Sequence, residues 1–343
     1  CSAAVGDAPR GRKPGRSRVI IVFALFLLSL LVITGLAIVR TENLFVAVML
    51  TSIFSLLMAA NFFILDAADV ALTEAAVGAG ITTVIFLSAL ALTAEREKTV
   101  QSSQRLTMVV VSVLAALIIY ATFDKPRLGD PEAPVHQHLA PWYLENTPVF
   151  MDFPNVVTAV LGSFRGYDTL GEVFVVFAAC IGVLFILGVK PPEGRAYDPD
   201  ASGLRHHLIP QVVGRLLIPF IVLFGLYVQF HGEYGPGGGF QAGALIASGI
   251  ILYALLEGEA AALRVVPQPV LMGLVIGGAC LYGGVGLLCI LLGGNFLEYS
   301  VLSSDPVSGQ QIGILLIEAG VGMAVCGALL SIFHAFAARP MRT

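Results

Sequence analysis

Nine apolar stretches divide the chain, at approximately 19–39, 44–65, 70–92, 106–123, 169–189, 212–230, 239–256, 270–292 and 311–336. Each is close to the 20 or so residues an α-helix needs to cross a bilayer. The pattern predicts an all-α, polytopic transmembrane protein with about nine spans. Between the stretches lie a basic tail, "PRGRKPGRSR", and two long polar segments, 124–167 and 190–208. The first segment holds the only tryptophan, Trp142, expected at a membrane interface. The second, "KPPEGRAYDPDASGLRHH", reads as a linker. Five parts follow: a tail at 1–18, three spans in 19–93, two in 104–190, a cytoplasmic linker at 191–208, and four spans in 209–336.

Composition agrees with this reading. The chain is 57% hydrophobic and 12% charged, about half the charge of a soluble domain. A net charge of -4 suggests no nucleic-acid partner. The lipid bilayer is the first partner implied. Cys180, Cys280, Cys289 and Cys326 lie inside apolar runs without paired spacing, so neither a disulfide framework nor a metal site is expected. Cys1 fits an initiator Met removed before a small residue, a chain cut from a longer precursor, or a lipid-modified terminus.

Basic residues orient the spans. With Lys190, Arg195 and Arg205 in the cytoplasm, Arg264, Arg339, Arg342, Arg96, Lys98 and Arg105 also fall inside, and segment 124–167 falls outside. The basic tail, with Arg10, Arg12, Lys13, Arg16 and Arg18, falls outside and opposes the bias.

Ionisable residues within spans are costly and mark candidate function. Asp66 and Asp69 head the third span, and Glu74 lies about 7 Å deeper than Asp69. Around Glu74, Ala71, Ala75, Gly78 and Ala79 stand at spacings that admit a close neighbouring helix. Glu74 is either a protonated carboxyl bonded to nearby backbone or a protonatable residue of an ion path. Glu318, about two turns into the last apolar stretch, carries the same pair of readings. Glu172, following Arg165 and Asp168, is expected in an interfacial ion pair. No lysine lies well inside a span, so a complete proton channel of the kind built on buried lysines is not expected.

The loop "FHGEYGPGGGF", 230–240, joins two spans with Gly235, Pro236, Gly237, Gly238 and Gly239. Irregular backbone near a bilayer must be packed in protein or line a polar cavity. The phosphate-loop pattern and its lysine are missing. A packed hairpin is one reading. The other is an ion vestibule with His231 as proton acceptor, and with Gln241 on a helix N-terminus whose free amides attract an anion or the Glu233 carboxylate. The pairs His136/His138 and His206/His207 read as loop residues.

The stretch "FHGEYGPGGGFQAGALIASGIILYAL", with "IGILLIEAGVGMAV" after it, resembles the B subunit of Mrp-type multi-subunit cation/proton antiporters. "LFVAVMLTSIFSLLMAANFFILDAADVALTEAAVGAG" and "NVVTAVLGSFRGYDTLGEVFVVFAACIGVLFIL" resemble successive pieces of the A subunit's C-terminal extension, which correspond to small subunits of membrane-bound hydrogenases. The resemblance implies a non-enzymatic subunit of a bacterial inner-membrane complex exchanging Na+ or another monovalent cation for H+, with no cofactor. The large antiporter-like domain that precedes this extension in the A subunit is absent, so antiporter-like partner subunits are expected to supply the proton channels. In that reading Glu74 binds or relays the ion, Asp66 and Asp69 attract cations at its mouth, and 231–240 with Gln241 shapes an adjoining cavity. Two alternatives are a redox-driven complex built from the same pieces and a passive scaffold.

Overall fold

The computed structural model describes residues 14–93, 96–97, 104–127, 130–188 and 208–337. The first part holds α1 (Pro14–Arg40) and α2 (Leu44–Ile64), then a composite third span of α3 (Ala68–Thr73), a π-helical segment Glu74–Ile81, and α4 (Thr82–Leu90). The next holds α5 (Gln104–Thr122), α6 (Ala140–Phe150), α7 (Val156–Ala159) and α8 (Gly166–Leu187). The last holds α9 (Leu208–His231), α10 (Gly239–Glu257), α11 (Glu259–Val265), α12 (Gln268–Leu291) and α13 (Pro306–Ala337). Among the described residues, nine helices are long and apolar enough to cross a membrane, and they coincide with the nine apolar stretches. The chain is a multi-pass helical membrane protein.

Local chemistry sets the ends of these helices. Asn43 caps α2 by accepting from the Phe45 and Val46 amides at 3.0 and 3.2 Å. Asp305, just before α13, accepts from the Ser308 amide and hydroxyl at 3.0 and 2.6 Å. These bonds favour its ionised form and hold its carboxyl below the usual range. In the π-helical segment "EAAVGAGI" the wider turns disturb the regular carbonyl pairing. The Ala79 carbonyl is met by the hydroxyls of Ser52 on α2 and Thr83, both at 3.0 Å.

The core is built around α13, flanked by α10 and α12. Glycines let these helices touch at the backbone: a Cβ on Gly243 would lie 2.6 Å from the Gly322 carbonyl oxygen, and one on Gly320 would lie 2.9 Å from that of Gly278. Two buried tyrosines join this core to the preceding part. Tyr282 Oη donates to the Gly166 carbonyl at 2.7 Å, and Tyr299 Oη donates to that of Gly162 at 3.0 Å. By contrast, every described position from Arg105 to Thr122 in α5 is exposed.

Two expectations need correction. Segment 124–167 is not a plain external loop. Its later half carries α6 and α7 and buries Met151, Phe153 and Ala159 in the core, because its apolar residues are spaced too irregularly to show as a span. The last helix also begins at Pro306 rather than near 311, so Glu318 lies about 18 Å along it. Cys180, Cys289 and Cys326 are buried free thiols, as expected of small core residues, whereas free Cys280 is exposed. Cys1, residues 1–13 of the tail, His206, His207 and nearly all of the 190–208 linker lie outside the described residues, and the end of the tail, from Pro14, already belongs to α1.

Contacts between turns respect the alternation of nine crossings. The Asp66–Asp69 turn, residues 151–165 and the 232–238 loop meet at one end, through Asn155. The pairing of Asn43 with Arg96 lies at the other end. The basic-residue count then predicts a labelling pattern. A cysteine at Gln137, an exposed position, should react with an impermeant thiol reagent in intact cells, and one at Ser202 only after lysis. The reverse pattern would overturn the orientation.

Candidate functional site

Asn155 organises the place where the three parts meet. Its Oδ1 caps α7 by accepting from the Val157 amide at 3.0 Å, and its own amide donates to the Glu233 carbonyl at 3.1 Å. Its Nδ2 lies within hydrogen-bond distance of four acceptors: the carbonyls of Gly232 (2.9 Å) and Gly235 (2.8 Å), Thr158 Oγ1 (3.0 Å) and Asp69 Oδ1 (3.2 Å). Two N–H groups must be shared among them. Thr158 Oγ1 in turn donates to the Gly232 carbonyl at 2.7 Å. One buried side chain thereby binds the glycine loop to the head of the third span.

The loop is both packed and cavity-lining, which joins the two readings of it. Gly238 has φ +133° and ψ 174°, a backbone region reserved in practice for glycine. This conformation brings the Gly239 amide, at the start of α10, onto Glu318 Oε2. The N-terminal amides of a helix lack carbonyl partners and carry partial positive charge, so a carboxylate is favoured there. The carboxylate in that place is Glu318 from α13, not Glu233. Gln241 Nε2 donates to Thr73 Oγ1 at 2.7 Å, and Thr73 Oγ1 donates to the Asp69 carbonyl at 2.9 Å.

These groups line a cavity of about 640 Å3 that is open on one side. Asp69, Glu172, Glu318, Gln241 and several threonines provide its polar lining, and Val175, Phe240 and Val321 are among its apolar walls. Among the described residues, no lysine, arginine or histidine lines it. Apolar walls lower the local dielectric and strengthen the attraction of a carboxylate for a cation. Among the described residues, no three histidine, cysteine or acidic side chains converge tightly enough to hold a metal ion.

The other candidates lie elsewhere. Asp66 is exposed at φ +60° and does not line the cavity. Glu74 does not line it either. Its carboxylate folds over Gly78 beside Ser55 of α2, where a Cβ on Gly78 would meet Glu74 Oε1 at 2.6 Å and Ser55 Oγ at 2.8 Å. His231 stacks between Tyr227 and Tyr234, with ring centroids 4.7 and 6.4 Å away. Glu172, expected in an interfacial ion pair, lines the cavity instead, and the ion pair at this helix start is Arg165 with Asp168 at 2.5 Å. Asn155, Thr73 and Thr158 are not conspicuous in the sequence. The one signal was an asparagine opening the short apolar run "VVTAV", the pattern of a helix cap.

Fold and cavity together define a multi-pass membrane protein in which three helical parts enclose acidic and hydroxyl groups. Comparison with known proteins makes this more particular. Residues 209–331 match the domain related to the MnhB subunit of Na+/H+ antiporter, 29–95 match the D subunit of MBH, and 103–199 match its E subunit. A protein of Rhizobium meliloti (strain 1021) described as a probable K(+)/H(+) antiporter A/B subunit is 29% identical over 235 residues, covering 61% of this chain and 23% of the relative. A chain of the Mrp complex from Dietzia sp. DQ12-45-1b superposes with a TM-score of 0.71 at 25% identity, covering 97% of this chain and 40% of that one. A chain of the membrane-bound sulfane sulfur reductase, an archaeal respiratory membrane complex, gives a TM-score of 0.52 at 29% identity. That match covers 68% of this chain and 97% of the reductase chain. The chain thus spans less than half the length of its Rhizobium and Dietzia counterparts. The resemblance to the B and A subunits of Mrp-type antiporters, read from the motifs, is borne out by these matches.

Proposed function

We propose that this protein is a membrane subunit of a multi-subunit monovalent cation/proton antiporter and that its cavity forms part of the cation path. The observation that carries the reading is the cavity itself: three carboxylates with threonine and glutamine oxygens, no competing cationic side chain among the described residues, and a position where the three parts meet. The similarity to antiporter proteins adds the class of complex. Na+ or K+ and H+ are cargo, and other Mrp-type subunits, including antiporter-like ones, supply the proton channels. A carboxylate that exchanges a proton for a metal ion is the chemical step required, since a nearby cation favours its ionised form.

In this reading Asp69 and Glu318, which line the cavity, carry the principal role rather than Glu74. Glu318→Gln keeps an oxygen for the Gly239 amide, and Asp69→Asn keeps one for Asn155, so both should assemble. Each should lower cation-dependent dissipation of a pH gradient in vesicles holding the whole complex by about tenfold or more, or ~1.4 kcal/mol. Glu74→Gln should do less. Wild-type exchange by fully assembled Asp69→Asn and Glu318→Gln complexes would sink the reading and leave a scaffold. The likeness to the sulfane sulfur reductase chain favours a second reading, a component of a redox-driven pump. Ion uptake that requires an electron donor would select it.

A further inference from the structure

Glu318 is shared by two pockets. Besides the large cavity it lines a second space of about 10 Å3, together with Thr158, Gln229, Gly232, Glu233, Gly238, Ile314 and Leu315. That volume is what one water molecule requires, and a buried water needs two to four polar partners. Gln229 Nε2 is buried there without a partner in the protein. Glu318 Oε2 is held by the Gly239 amide, and no hydrogen bond is made to Oε1 among the described residues. Glu233, on the 232–238 loop, lines the same space.

We propose that this small pocket is a one-water site that connects Glu233, at the loop surface, to Glu318, giving Glu318 a proton supply separate from the large cavity. The proposal takes its purpose, though not its chemistry, from the reading of the large cavity as a cation site. In the transfer, the O–H bond of a protonated Glu233 breaks toward the water while a water O–H breaks toward Glu318. One proton moves, the water is regenerated, Glu233 becomes anionic and Glu318 neutral. Gln229 donates to the water oxygen and orients it. Burial raises the Glu233 carboxyl above its usual range, so it retains a proton at higher pH than a carboxylate in solvent.

The groups around Glu318 are consistent with a site that must take up protons. Glu172 from α8 and Asp69 from α3 line the same cavity as Glu318. Both are acidic, and among the described residues the Gly239 amide, at the start of α10, is the donor that meets the Glu318 carboxylate. Cation entry on one side and proton entry on the other would let the two cargoes compete for Glu318 without sharing a route.

The test is infrared spectroscopy of the assembled complex, with the protonated-carboxyl band of Glu318 identified by its loss in Glu318→Gln. Its hydrogen–deuterium exchange is timed after mixing with D2O. Gln229→Leu and Glu233→Gln should each slow that exchange by about tenfold or more, while Gly273→Val, where an added Cβ meets nothing within 4 Å, should leave it within about twofold of wild type. If Gln229→Leu does not assemble, Gln229→Met, which keeps the length without the donor, takes its place. Unchanged exchange in the Gln229 and Glu233 variants would mean that protons enter through the large cavity and would overturn the proposal. So would the absence of any Glu318 band, which would mean a permanently ionised carboxylate. Failure of the cation reading would appear instead as vesicle transport insensitive to Asp69→Asn, with these exchange rates unaffected.

Discussion

Gly239→Val is expected to remove the assembled complex from the membrane almost completely. A Cβ on residue 239 would overlap the Glu318 carbonyl oxygen and stand 2.8 Å from the Gly322 amide nitrogen and 2.9 Å from Val321 Cβ. Two of these three are backbone atoms of the longest helix in the core, so nothing can rotate aside. Overpacking commonly costs about 1–3 kcal/mol and more where the backbone must move. Displacement would also break the bond from the Gly239 amide to Glu318. Native-gel abundance is the readout. Gly273→Val, where an added Cβ meets nothing within 4 Å in this chain, is the control. Gly238→Val, strained by its φ of +133°, should also lower abundance, whereas His231→Ala should not.

Asn155→Ala is the second large effect. It removes the cap of α7 and leaves the Gly232 and Gly235 carbonyls and Asp69 with fewer donors. Loss of a cap costs about 0.5–2 kcal/mol, and a buried unpaired polar group about 1–3 kcal/mol. Their combination should lower the temperature at which the assembled complex dissociates by several degrees or more. Asn155→Asp separates the two contributions. It keeps the cap acceptor but points a carboxylate at two carbonyls and at Asp69, so it should be at least as damaging as alanine. An Asp variant as stable as wild type would mean that the Nδ2 bonds contribute little.

Span positions were legible because lipid imposes a continuous apolar run that few other structures need. Glycine loop 235–239 was legible for a related reason, since irregular backbone beside a bilayer has few permitted uses. The cavity was less so. Segment 151–165 packs against the core through single buried residues such as Met151 and Asn155, and no period marks them. Its long polar approach made it look like solvent-exposed loop. Glu172 follows Arg165 and Asp168 at a helix start and so read as one half of an ion pair, whereas Arg165 pairs with Asp168 and Glu172 lines the cavity. Glu74 was conspicuous because it sits among alanines and glycines; one of these, Gly78, lies against Ser55 of α2, and Glu74 does not line the cavity.

The central claim, that a cation passes through the cavity of Asp69, Glu172 and Glu318, can be tested by locating the ion. The assembled complex would be imaged at high resolution in a thallium(I) salt, a dense stand-in for sodium or potassium, and again in a large organic cation. The account predicts thallium density in this cavity beside Asp69 or Glu318, weakened in Asp69→Asn. Thallium bound elsewhere in the complex, with an acyl chain filling this cavity in the wild type, would contradict it.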